Sequence, residues 1–362
     1  MTFEAASIRH QQHLSSLDLV RVGATLLVLF YHVHTITSPI AGRMPFGGFF
    51  QSGSSRGVDV FFVLSGCIVL WRHKKEVGQP KRWSYYMSRR LLRIYPPALI
   101  MTLLAAMMYA GGFGGAEKAA KLESQNLILS LFLMGERSSS VLNVAWTLKY
   151  VIFFYVLFGF AVIDRRLGVL AIAIWQLAIL VHVYAGLGGG QWDAYFLQPM
   201  GLEFGMGAAA ALLIACFPVG LALRKGTGLL VAGLITFLFF KLYESFVLHQ
   251  DFSISIAVWL FGVSAASMIA GLALLDLRGH IRLPPIFRLL GAASFSVYLV
   301  NYSAIVMAVK AMQLAGIPIG NNLAALTLAG MAISCGLLFH FFVDQPLQRE
   351  LRSTKALRLA RA

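Results

Sequence analysis

The sequence predicts an all-α, polytopic integral membrane protein of about ten transmembrane helices with both termini on the cytoplasmic side. Composition is the first reason. Of 362 residues, 58% are hydrophobic and 12% charged, with a mean hydropathy of +0.75, too little polar side chain to cover the surface of a water-soluble domain. The second reason is that apolar runs of 17 to 25 residues recur along the chain. Crossing about 30 Å of hydrocarbon at about 1.5 Å per residue takes about 20 residues. The third is an uneven division of Lys and Arg between alternate loops.

The expected spans are 17–36, 56–72, 94–112, 141–163, 167–187, 195–216, 227–247, 253–275, 289–311 and 322–343. Each is bounded by charge, Gly or Pro. The first ends before Ser38-Pro39, the second lies between Arg56 and Arg72, and the third runs from Arg93 to the glycines at 111 and 112. The fourth stops at Asp164, the fifth starts after Arg166, and the sixth ends before Pro218. The seventh follows Gly226, the eighth sits between Asp251 and Asp276, the ninth begins after Arg288, and the tenth ends before Asp344. The stretch 124–135 (SQNLILSLFLMG) is too short to cross and is placed in the outer interface or re-entering a protein-lined cavity. Charge fixes the sidedness. With a cytoplasmic N-terminus, inner segments hold 21 of the 30 Lys and Arg, while the outer ones hold five: Arg43, Arg56, Lys118, Lys121 and Arg137. If 124–135 crossed, the five-charge C-terminal segment would lie outside, against the positive-inside rule.

Residues 1–16 are therefore read as a cytoplasmic segment, 17–343 as one transmembrane domain and 344–362 as a basic cytoplasmic tail forming an amphipathic helix on the inner surface. The first span is read as retained, since no basic-then-apolar signal with a small-residue cleavage site precedes it. The net charge of +15 belongs to this membrane pattern, with lipids rather than nucleic acid as partner. Cys67, Cys216 and Cys335 lie in apolar segments without metal-ligand spacing, so neither a metal site nor a disulfide framework is read.

Within the first span, RVGATLLVLFYH places Arg21 and His32 eleven positions apart. Eleven helical residues make three turns plus about 20°, so the two share a face about 16 Å apart along the axis. Asp18 and Thr25 fall on the same face. Charge facing lipid costs about 2.5–3.5 kcal/mol, so this stripe points into the protein. Pairing with Asp18, or snorkelling, accounts for Arg21 as well as chemistry does. His32 lies deeper, and an imidazole there can take up and release a proton near neutral pH. His34 points away and reads as interfacial. Arg89, Arg90 and Arg93 border the third span, with Pro96 and Pro97 just beyond. Positive-inside charge explains Lys74, Lys75 and Lys81, but Arg90 and Arg93, one turn apart at the membrane edge, make a fork for a phosphorylated cytoplasmic ligand.

The segments LDLVRVGATLLVLFYHVHT, GVDVFFVLSGCIVLW, SRRLLRIYPPAL, AWTLKYVIFFYVLF, GLEFGMGAAAALL, SFSVYLVNYSAIV and FVDQPLQRELR stand in the order seen in the acyltransferase 3 family, which this chain resembles from about residue 17 to 352. That family comprises bacterial inner-membrane O-acyltransferases of polysaccharides, lipopolysaccharide and related glycans; the WTL version of the fourth motif resembles the exopolysaccharide-acetylating branch, in stand-alone form. The resemblance implies an O-acyltransferase moving an acetyl group from cytoplasmic acyl-CoA, a donor substrate and not a bound cofactor, to a glycan or lipid-linked glycan. It implies His32 as the base that deprotonates the acceptor. Arg21 would steady pantetheine, phosphate or oxyanion, and Arg89, Arg90 and Arg93 would lie near the CoA phosphates. Asp59, Ser65, Trp146, Glu203 and Asn301 are carried over as substrate-binding residues, with Asp59 on the acceptor side, although Ser65 and Gly66 equally suit a small-residue helix contact and Glu203 equally suits a helix N-terminus. Two positions depart from the family: Val151 stands where it usually has Glu, and Asn301 where it usually has His, keeping hydrogen bonding but losing the proton switch. Lys149 faces another way and is no substitute.

Other signals are set aside. GSSRG around Ser55 has the spacing of a nucleophile elbow but lies in an outer loop rather than between strand and helix. GLGGGQWD at 186–193 is a turn with an interfacial Trp192, and Lys241 and Glu244, one turn apart, are expected to pair. Two further classes fit a multi-span chain with buried charge: a transporter or flippase of a lipid-linked glycan, and a non-catalytic partner of polysaccharide-assembly proteins.

Overall fold

A computed structural model describes residues 14–42, 45–51, 56–113, 118–136, 138–187, 191–217 and 222–353. Among these residues the regular structure is helical and no strand occurs. In chain order the helices are α1 (Ser15–Ala41), α2 (Arg56–His73), α3 (Trp83–Ala110), α4 (Lys118–Leu122), α5 (Ser124–Leu131), α6 (Leu148–Ile163) and α7 (Arg165–Ala185). They continue with α8 (Gln191–Phe196), α9 (Gly201–Cys216), α10 (Ala222–Tyr243), α11 (Ile254–Asp276), α12 (Pro285–Leu314), α13 (Asn322–Phe339) and α14 (Gln345–Ser353). Five-residue π-helical turns extend α10 (Glu244–Leu248) and α13 (His340–Asp344).

Each expected span contains a helix, although α6 begins only at Leu148 within 141–163 and 195–216 takes in the end of α8 before α9 begins at Gly201. Eight helical stretches are long and apolar enough to cross a bilayer; α2 carries Arg56, Asp59 and Arg72, and α9 is apolar but only 16 residues long. α7 presents Leu167, Val169, Leu170, Ile174 and Leu177 outward, as a lipid-facing helix does. α5 has eight residues, about 12 Å of rise, so the ambiguous stretch does not cross as a helix. α3 begins eleven residues before its apolar core, which puts all three basic-cluster arginines on a helix. α14 supplies the described part of the amphipathic tail; residues 354–362, like 1–13, lie outside the described residues.

The chain forms two compact units, each drawn from three stretches. The first comprises residues up to 26, 52–78 and 164–292. In it α9 packs against both α2 and α11, and α10 lies along α11. Small residues permit this closeness. A Cβ on Gly207 would overlap the carbonyl oxygen of Val63, and one on Gly66 would overlap that of Phe204, the close backbone approach that small residues give membrane helices. The Ser16 amide donates to Asp276 Oδ2 at 2.7 Å, an acid at the start of α1 where the helix dipole favours it.

The second unit comprises residues 27–51, 79–163 and 293 onward. Here α3 packs on α6, and the fully buried Tyr86 donates to the Tyr155 carbonyl at 3.2 Å. Leu29 and Val33 of α1, Val297 and Ile305 of α12, and Leu328 and Ala332 of α13 belong to one buried apolar cluster. It surrounds the helical turns that present His32 and Asn301.

Candidate functional site

In the first unit, Arg21 Nη1 donates to Asp18 Oδ1 at 2.5 Å, and Thr25 Oγ1 donates to the Arg21 carbonyl at 2.8 Å. Asp18 is buried and faces the Gly291 backbone so closely that a Cβ there would collide with it. The guanidinium is thus aimed by a fixed carboxylate, and its side chain keeps 20% exposure.

In the second unit, His32 Nδ1 lies 2.5 Å from Asn301 Oδ1, and the Tyr302 ring meets the imidazole edge-on at 5.3 Å between centroids. Asn301 is fully buried. Carried over from sequence as a substrate-binding residue, it is brought onto the histidine. One turn away, the Tyr298 hydroxyl donates to the Val144 carbonyl at 2.9 Å and lies 2.8 Å from Thr147 Oγ1. This ties the WTL segment to the helix carrying Asn301. Trp146, in that segment, stacks edge-on with Tyr150 at 6.3 Å, and the buried Lys149 lies 5.2 Å from the Tyr150 ring centroid. His34, expected at the interface, is buried.

The three arginines have separate partners. Arg89 is exposed and donates to the Tyr85 hydroxyl at 3.0 Å. Arg90 lies 5.4 Å above the Tyr155 ring. Arg93 spends Nη1 on both oxygens of the buried Asp344, at 3.1 and 3.0 Å, and lies over Phe295 at 5.3 Å. Ser296 Oγ also donates to Asp344, at 2.9 Å, and His340 Nδ1 stands 3.3 Å away. The sequence reading missed Asp344 as a partner. The signal was the i, i+4 pair His340/Asp344 in an otherwise apolar run.

A second charged group is buried in the first unit. Arg56, counted from sequence as an outer-loop charge, donates from Nη2 and Nε to Glu244 and from Nη1 to Asp59 at 3.3 Å, and packs 4.4 Å over Phe261. Lys241 was expected to pair with Glu244. It donates to Ser245 Oγ at 3.1 Å and lies within electrostatic reach of Glu244, whose fully buried carboxylate also accepts from the Arg56 guanidinium and from the Phe252 amide at 3.0 Å. Glu203 is fully buried in the first turn of α9, and Ser65 is half-buried beside the Gly66 contact. Asp59 and Glu203 are thus brought to one buried cluster within the first unit, while Asn301 and Trp146 belong to the second. Lys121, a second outer cation, is buried too, donating to the Ser140 carbonyl at 3.0 Å and to Asn143. Ser55 lies outside the described residues.

Comparison with known proteins adds the chemical class. The family model described as an acyltransferase domain matches residues 14–341. The exopolysaccharide production protein ExoZ of Rhizobium meliloti (strain 1021) is 27% identical over 338 residues, which covers 85% of this chain and 94% of the relative. No solved structure matches the chain.

Proposed function

The chain belongs to this acyltransferase family, and on that premise we propose that it moves an acyl group, most simply acetyl, from cytoplasmic acyl-CoA to a hydroxyl of an exported or surface glycan. The similarity to an exopolysaccharide production protein supports the glycan. The observation that carries the reading is the imidazole of His32 held in an apolar span by the buried amide of Asn301. In the proposed step His32 accepts the proton of the acceptor hydroxyl as its oxygen attacks the thioester carbonyl. The C–O bond forms, the C–S bond breaks, and the imidazolium returns the proton to the departing thiolate, so the enzyme ends as it began. About 16 Å of helix separates Arg21 from His32. Arg21 is therefore assigned to the extended pantetheine-phosphate arm rather than to the reacting carbonyl. Arg90 and Arg93 are assigned to the CoA phosphates on the inner side.

The test is transfer of label from acetyl-CoA to an acceptor glycan by the purified protein. His32→Ala is expected to lower kcat by at least 100-fold, within the range ascribed to general base catalysis, with little change in donor affinity. An unchanged kcat in folded His32→Ala would remove the histidine from the chemistry. Glycan movement across vesicles without acceptor-dependent CoA release would make the protein a carrier instead.

A further inference from the structure

The amide of Asn301 can sit only one way round. Its Nδ2 lies 2.7 Å from the Tyr298 carbonyl oxygen and 3.2 Å from that of Val297. Carbonyl oxygens only accept, so the amino end must occupy that side; the flipped amide would press its own oxygen against two others. Oδ1 therefore faces His32 Nδ1 at 2.5 Å. An amide oxygen carries no proton, so the proton in this contact belongs to Nδ1, and in the neutral imidazole the lone pair is then on Nε2.

From this donor and acceptor sequence we infer that Asn301 is a positioning residue that fixes His32 as the Nδ1–H tautomer, making Nε2 the atom that exchanges the proton. The tautomer follows from the hydrogen bonds alone; its use in catalysis rests on the acyl-transfer reading. The Nδ1–H···Oδ1 bond persists through the cycle. Neutral His32 takes the hydroxyl proton on Nε2, the imidazolium keeps donating from Nδ1, and Nε2 gives its proton to the thiolate. The amide is fully buried, so water does not compete for Nδ1 from that side. In serine-protease triads, a histidine base held in the wrong tautomer loses about 10⁴ in kcat, which sets the scale of what such a contact can control.

The experiment is 15N NMR of histidine-labelled full-length protein in lipid nanodiscs, with His32 identified by the signal lost in His32→Gln. Neutral His32 is expected to show a protonated Nδ1 and an unprotonated Nε2; the opposite pattern in wild type overturns the assignment. Asn301→Leu, of similar size but without an acceptor, is expected to move the proton largely to Nε2. It should lower kcat tenfold or more, with KM for acyl-CoA within twofold. Asn301→Asp restores an acceptor oxygen and is expected to turn over at least tenfold faster than Asn301→Leu. Wild-type kcat in folded Asn301→Leu overturns the positioning role; should that variant fail to fold, the wild-type tautomer and Asn301→Asp decide. Wild type that shows the Nδ1–H tautomer but transfers no acyl group defeats the acyl-transfer reading and leaves the tautomer standing.

Discussion

Arg93 shows how much a single residue's reading depends on its partner. From the sequence it is one of three arginines at a membrane edge, free to bind phosphate. In the fold one of its amino groups is committed to Asp344, while the side chain retains 34% exposure. The guanidinium is thus anchored at one end and presents its remaining N–H groups at the other. Arg93→Lys can satisfy Asp344 or a phosphate but lacks the fork for both. Measured by steady-state kinetics, it should raise KM for acyl-CoA about 10-fold, the loss of about 1.5 kcal/mol of charge-assisted hydrogen bonding, with kcat little changed. A KM equal to wild type would assign Arg93 to structure alone. Arg56 has no such exposed end. It is enclosed by Glu244, Asp59 and Phe261, so Arg56→Ala should destabilise by about 3–5 kcal/mol, because it leaves buried carboxylates without their counter-charge. A fall in thermal midpoint with the remaining folded fraction still active would show this. His32 and Arg21 were legible in the sequence because helical periodicity alone puts them on one stripe. The partners Asn301, Asp344 and Glu244 were not, because each acts across 188 to 269 positions of chain that no local pattern spans.

At the scale of elements, apolar length located every long helix, since a bilayer imposes one requirement that hydropathy reads directly. It could not read the two π-helical turns. In each of them a buried carboxylate meets an arginine from another helix: Glu244 with Arg56, Asp344 with Arg93. A π turn inserts a residue and breaks the 3.6 period. Helix packing was better signalled, by Ser65 and Gly66, whose reading as a small-residue contact fits the close approach of Gly66 to the Phe204 backbone. Gly207→Ala would drive a methyl into the Val63 carbonyl and should cost about 1–3 kcal/mol, as overpacking does. Gly23→Ala, in open space on α1, should be neutral or gain about 0.5–1 kcal/mol from helix propensity. Parallel thermal denaturation of both variants in one detergent checks the pair; equal midpoints would mean that α2 and α9 are not in the close approach seen here.

Over the whole molecule, the expected orientation rests on the distribution of charge. Two of the five cations assigned to the outer side, Arg56 and Lys121, are withdrawn into buried contacts, so the outer loops present less positive charge than the sequence count suggested. Of the cations assigned to the inner side, Lys81, Arg82 and Arg89 are exposed, while Arg90 and Arg93 are half-buried. On the ten-span reading the short α5 does not cross, and the parity of the later helices is unchanged. Glu123 and Arg282 then fall on opposite sides of the membrane, and a single cysteine at each tests this in intact cells. With Cys67, Cys216 and Cys335 replaced by Ser, Glu123→Cys should react with a membrane-impermeant maleimide added outside. Arg282→Cys should react only after permeabilisation. If 124–135 did cross, every later segment would change sides, and Arg282→Cys would be labelled from outside together with Glu123→Cys.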